Sequence, residues 1–301
     1  MASYQVLEVH NGEGNNKLYY NRGVLEADGD IVWTLNDGSY EKGDHAALAL
    51  LSSSKLLDIH DNEEGEISYS LANLQSNGSA SWIVINYRYI DGRQPAAAIH
   101  PNGAIVELHR HREVEDLRYD VGTLQADNTI DWHSFDQGYS HGRHPTIAIR
   151  SDGLIVAFNS TEEEELHYCV GTLQTDYRIA WLELNVRAGM RGRHPTLAFS
   201  GETLILIYED KAEELFYRLG SVTTSGHIQW ATVDGIHYDG GRQPSLAAAA
   251  DGTIVEIHRD HFGDDLFYNT GQLTDNVITW KRIGVKYNKG HYPSVVLRQT
   301  S

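Results

Sequence analysis

The chain has 301 residues, 41% hydrophobic and 22% charged, the balance of a folded globular protein rather than a disordered one. Its 42 acidic against 24 basic residues leave a formal net charge of −18, which disfavours nucleic acid and anionic membrane surfaces as partners because the phosphate contribution would be repulsive. One cysteine, Cys169, excludes an internal disulfide framework, and no apolar run of about 18 residues is present to form a spanning helix.

The N-terminal MASYQVLEVH reads directly as a strand, so the expectation is a cytoplasmic protein or one exported without a cleaved leader. After VLEVH come LYYNRG and then ADGDIVW, a polar turn and a short run that ends on Trp33. The same phrase returns to end on Trp82, Trp132, Trp181, Trp230 and Trp280. Successive spacings are 49, 50, 49, 49 and 50 residues and use every Trp in the chain, which marks six copies of one unit.

Each unit holds four strand-like segments. The first is bounded by Gly and Pro and filled with small apolar residues: GRQPAAAI from Gly92, GRHPTIAI from Gly142, GRHPTLAF from Gly192 and GRQPSLAA from Gly241, with weaker copies GDHAALAL from Gly43 and GHYPSVVL from Gly290. A hairpin turn such as Pro101-Asn102-Gly103 leads to the second, which alternates and is rich in β-branched residues (LLDIH, IVELH, IVEIH). Charged loops such as HREVED and STEEEE lead to the third, which carries Tyr20, Tyr69, Tyr119, Tyr168, Tyr217 and Tyr268. The fourth carries Trp.

Four short antiparallel strands in a unit of about 50 residues predict an all-β, six-bladed β-propeller filling residues 1–301 as one domain. The chain opens on a second strand and stops after an orphan first strand, YPSVVLRQ. Those two pieces together complete one blade and close the ring. The Trp column and the third-strand Tyr column are expected at blade interfaces, where large rings bury much area.

The face carrying the loops into each first strand collects Arg93, Arg143, Arg193 and Arg242, with Asp44 and His291 in the variant copies. Beside them come His45, Gln94, His144, His194, Gln243 and Tyr292, and before them Tyr40, Tyr89, Tyr139, Tyr238 and Tyr287. Residues two apart share a face of a strand, so Glu8 and His10, Asp58 and His60, Glu107 and His109, and Glu256 and His258 form acid–His pairs. Ala157 with Asn159, and Ile207 with Glu209, read as the departures in the fourth and fifth blades. Aromatic, Arg, His and carboxylate groups on one face suit a sugar, whose CH faces stack on rings and whose hydroxyls hydrogen-bond to charge. The same groups also admit a bland reading, as buried networks that fix blade register and as guanidiniums that bond loop carbonyls. No P-loop, dinucleotide fingerprint or G-x-S-x-G elbow appears, and no metal-ligand spacing recurs among the 16 His, so neither metal nor cofactor is expected.

The ordered set G-x-x-P-[ST]-[LIV]-A, D-G-x-I-V-E-[IL]-H, L-x-Y-x-x-G and I-x-W, clearest from Gly241 to Trp280 and from Gly92 to Trp132, resembles the bacterial β-propeller lectins of the Photorhabdus type over essentially the whole chain. That resemblance implies multivalent binding of fucose and galactose derivatives in pockets between blades. Members of that family used for comparison have seven blades, against six repeats here. The expected partners are glycans, with homo-oligomer formation left open. The ligand-binding candidates are Arg93, Arg143, Arg193, Arg242, His10, His60, His109, His258, Tyr89, Tyr139, Tyr238, Asp44, Asn159, Glu209 and His291. Near-equivalence of the copies favours repeated binding sites over one catalytic centre. A lyase or glycoside hydrolase using the Arg and His groups at the channel mouth, or a protein-interaction scaffold, remain the alternatives.

Overall fold

The computed structural model describes residues 3–300, so residues 1, 2 and 301 of the expected domain lie outside the described residues. Six antiparallel sheets form six blades, and no helix occurs among the described residues. Blade 2 is typical: inner strand Asp44–Ser52, second strand Lys55–Asp61, third strand Glu66–Leu74 and outer strand Ala80–Asp91. Blades 3, 4 and 6 repeat this order. The inner strands pack on one another around the channel. In blade 1 the C-terminal strand His291–Thr300 takes the inner place and pairs antiparallel with Ser3–Asn11, closing the ring.

Among the described residues the core is divided rather than central. Six apolar clusters are each shared by two neighbouring blades, because both faces of a blade meet a neighbour. Leu7, Leu18 and Tyr20 of blade 1 pack with Leu48 and Leu56 of blade 2, for example. Two aromatic columns brace these interfaces. The third-strand Tyr of one blade reaches the outer strand of the next or the turn that leads into it: Ile130 N donates to Tyr69 Oη (3.3 Å), Ile31 N to Tyr268 Oη (3.2 Å), and Tyr20 Oη donates to Gly78 O in the turn before Ala80–Asp91 (2.7 Å). At five of the six interfaces an outer-strand Tyr stacks on the Trp of the following blade: Tyr40 on Trp82, Tyr89 on Trp132, Tyr139 on Trp181, Tyr238 on Trp280 and Tyr287 on Trp33.

Outer strands carry a β-bulge at Asp37, Asn86, Asp136, Asn185 and Gly284, each with positive φ. Asp, Asn and Gly tolerate that conformation best. The bulge N–H is taken up by the third strand, by Asn21 Oδ1 for Asp37 (2.6 Å) and by Ser70 Oγ for Asn86 (3.0 Å). Blade 5 departs from the pattern. Its outer strand breaks into Ile228–Trp230 and Ile236–Gly240, and the Arg218 guanidinium covers Trp230 at 4.5 Å where other blades supply a Tyr.

Candidate functional site

The acid–His pairs are built by the second strand and lie inside the blades. Each His points Nδ1 at the acid two residues earlier: His10 to Glu8 (3.1 Å), His60 to Asp58 (2.8 Å), His109 to Glu107 (2.9 Å) and His258 to Glu256 (3.1 Å). None is more than 1% exposed. Burial alone would discharge these imidazoles, but the adjacent carboxylate outweighs it and holds each His pKa above its ordinary value. A glycine lies against each ring: a Cβ on Gly43 would sit 2.5 Å from His60 Cδ2. These four His therefore offer no surface to a ligand, contrary to the expectation that they reach the open face.

Tyr89, Tyr139 and Tyr238 are likewise wedges between blades rather than a sugar platform, with ring centroids 4.8, 5.2 and 4.7 Å from the Trp they stack on. Burial first, and the nearby carboxylates of Glu107 and Glu256 second, push the Tyr89 and Tyr238 phenols well above their ordinary pKa. Asn159, in the His place of blade 4, is buried and donates Nδ2 to His141 O (3.0 Å).

The fifth blade requires a correction of register. Leu206 and Tyr208, not Ile207 and Glu209, occupy the acid and His places: Leu206 pairs with Arg218 and Tyr208 with Phe216, as Glu256 pairs with Asn269 and His258 with Phe267 in blade 6. A slip of one residue turns a strand over. Glu209 thus belongs to the channel mouth, matching Asp61 of blade 2.

Blade 3 holds one departure of another kind. Asn21 and Asn269 donate Nδ2 to Glu8 (2.7 Å) and Glu256 (2.8 Å). Asp120 stands in that place beside Glu107, with both acids fully buried. Burial first and the Glu107 charge second push Asp120 up to about 7. A proton on Asp120 restores the donor that the Asn residues supply elsewhere.

The four Arg candidates sit half-buried at the rim. Arg93 Nη2 donates to Glu63 O (2.9 Å), and Arg242 donates to Asp260 O (2.9 Å) and Gly263 O (3.2 Å). Arg143 pairs with Glu115, and Arg193 Nε lies 3.3 Å from Glu209 Oε1. His291 faces Asp264 across 3.5 Å.

Inside this rim six side chains enter the channel mouth: His45, Gln94, His144, His194, Gln243 and Tyr292. All six have positive φ, from 45° to 55°, which non-glycine residues seldom adopt. The mouth is a cavity of about 120 Å³. His144 and His194 lie with ring centroids 3.9 Å apart, and His45 and Tyr292 4.1 Å apart.

A cleft of about 390 Å³ opens on the same face between blades 1 and 2. Asn15 and Asn16 line it from one loop, Glu41, Lys42 and Asp44 from the next, and Glu63 and the bulge residue Asn86 from blade 2. Of the sequence candidates, only Asp44 lines this cleft. The others went unnoticed because charged loops read as solvated surface, and the bulge that presents Asn86 leaves only an Asn, Asp or Gly as its mark in the sequence.

No family model matches this chain, and no curated protein sequence does. Solved structures do. The fucose-recognising fungal lectin of Aleuria aurantia, a six-bladed β-propeller, aligns at TM-score 0.60 and 10% identity over 90% of this chain and 88% of its own. SapL1 lectin, solved with α-methyl fucoside, aligns at 0.58 and 9% identity over 93% and 96%. A 6-phosphogluconolactonase-like protein from Bacteroides uniformis ATCC 8492 aligns at 0.58 and 14% identity over 93% and 81%. Likeness at such low identity is likeness of fold, and lectin and lactonase propellers share it equally.

Proposed function

We propose that this chain is a carbohydrate-binding lectin whose principal site is the cleft between blades 1 and 2. The observation that carries the reading is the cleft's lining: carboxylates, amides and one ammonium around a volume within the ordinary range for ligand pockets. Alternating acceptors and donors suit a polyhydroxylated ring better than an apolar ligand. Fucose is the first sugar to test, because two structures with this fold, the Aleuria aurantia lectin and SapL1, bind it. Galactose derivatives come second.

A glycan array followed by calorimetry tests the proposal. Binding of a monosaccharide that weakens roughly tenfold in Glu41→Ala or Asp44→Ala supports it, each removing one charged hydrogen bond. No sugar bound at millimolar concentration rejects it. Equal binding by both variants moves the site elsewhere and rejects this cleft.

A further inference from the structure

We propose that the rim of blade 3 is a binding site for a small oxyanion, a phosphate, sulfate or carboxylate group, held by Arg93 and Arg110 beside Gly65. This site is separate from the sugar cleft and does not depend on it.

One copy lacks a counter-ion that its neighbours carry. The glycine that opens an inner strand donates its N–H to a carbonyl in the charged loop of the blade before: Gly92 to Gly65 O (2.9 Å), Gly142 to Glu115 O (2.7 Å), Gly192 to Glu164 O (2.7 Å), Gly241 to Glu213 O (2.7 Å) and Gly290 to Asp264 O (2.6 Å). These bonds mark one equivalent position in each loop. Where that position holds an acid, the acid pairs with the basic rim residue that follows: Glu115 with Arg143, Glu164 with Arg193 (3.9 Å), Glu213 with Arg242 (3.6 Å) and Asp264 with His291 (3.5 Å). Gly65 supplies no carboxylate. Arg93 therefore donates Nη2 to the neutral Glu63 carbonyl (2.9 Å) and forms no ion pair among the described residues. A side chain at Gly65 would point at it, because a Cβ there would lie 3.3 Å from Arg93 Nε.

A second guanidinium shares the deficit. Arg110 lies directly opposite Arg93 on the paired strand, a position where like charges oppose each other. Its Nε is sealed from water with no acceptor, and the side chain forms no ion pair among the described residues. Blade 6 repeats the arrangement with Arg242 opposite Arg259 but satisfies it: Arg259 Nε donates to Gly263 O (2.8 Å), and Nη2 pairs with Asp264. The matching acid in blade 3, Glu115, is drawn off by Arg143, and Asp61 is committed to His45 and to Gln94 N (2.7 Å). Burial first, and the Arg143 charge second, lower the Arg110 pKa, the mark of a cation short of partners. In a chain with 42 acids this Arg pair goes without one. An oxyanion beside Gly65 would take the place of the missing carboxylate and accept from both guanidinium forks.

Calorimetry on the full chain tests the site with inorganic phosphate, galacturonate and neutral galactose at constant ionic strength. Phosphate should bind at a single class of site. Arg93→Gln and Arg110→Gln should each weaken it roughly tenfold or more, the loss of a charge-assisted hydrogen bond. Gly65→Glu restores the acid of the other loops and should abolish phosphate binding. Glu164 and Glu213 hold φ of 62° at that position, so the backbone admits Glu, and only the flexible Arg112 stem, 2.9 Å from the new Cβ, must move. Circular dichroism checks the fold of all three variants. Galacturonate should compete with phosphate, and galactose should not. Tighter binding of galacturonate identifies the carboxylate of a sugar acid as the source, and tighter binding of phosphate identifies the free ion. Failure of the parent chain to bind either anion at millimolar concentration, or undiminished phosphate binding in Gly65→Glu or in both Arg variants, overturns the proposal. Fucose should not displace phosphate, so the result stands apart from the fate of the lectin reading.

Discussion

Tyr40 of blade 1 lies face to face on Trp82 of blade 2, with ring centroids 3.9 Å apart and planes 6° from parallel, and it also donates its hydroxyl to Asp58 Oδ2 at 2.8 Å. One side chain thus joins an apolar stack to a buried carboxylate across a blade boundary. Trp82→Ala should cost about 3–5 kcal/mol, through lost burial and the cavity left behind. Tyr40→Phe keeps the stack but strips Asp58 of a donor, and should cost about 1–3 kcal/mol. Denaturant unfolding of both variants measures the two contributions separately.

Asp120→Asn should remove a pH dependence. The native chain holds a proton on Asp120 up to about 7, whereas an unfolded Asp releases it near 4. Between those limits the folded state binds more protons than the unfolded state, so stability falls as pH rises, by at most about 1.4 kcal/mol per pH unit. Above pH 7 the loss is complete, and below pH 4 it is absent. The amide introduced by Asp120→Asn would donate to Glu107 without a proton to lose, so the variant should gain on the parent from pH 4 to pH 7. Melting curves across that window check this. Parallel curves for parent and variant would show that the two acids do not share a proton.

Gly43→Ala should destabilise by overpacking. Its Cβ would fall 2.5 Å from His60 Cδ2 and 3.1 Å from Asp61 O, and the ring is pinned by Asp58. A cost of about 1–3 kcal/mol is expected. Gly103→Ala makes the comparison: it faces open space and bears only the strain of its positive φ.

Deleting residues 291–300 should abolish cooperative folding of the ring. The strand supplies the inner edge of blade 1, and Val295 is buried in the core that blades 6 and 1 share. Loss of a single sharp thermal transition, or association into larger species through the exposed edge of Ser3–Asn11, would be seen by calorimetry and size-exclusion chromatography.

The architecture was legible because its marks are periodic: one Trp and one third-strand Tyr per unit, and a Gly-Pro segment in five of the six, each answering to a contact repeated around the ring. The candidate site was less legible, for two physical reasons. An alternating strand does not announce its register when both faces are buried, and a slip of one residue put Glu209 on the wrong face. Side chains that look like ligands by type are consumed by partners inside the ring, His109 by Glu107 of its own strand and Tyr139 by Trp181 of the next blade. The mouth residues pose the opposite problem. His45, His144 and His194 come from three different units, and only closure of the ring makes them neighbours.

That closure also orients the molecule. Ser3 pairs with Thr300, at the end of blade 1 away from the channel mouth. Anything attached to either described end, whether a tether, a label or a solid support, would hang from the far side. An immobilised ring would then present the mouth and the cleft between blades 1 and 2 outward, towards whatever flows past.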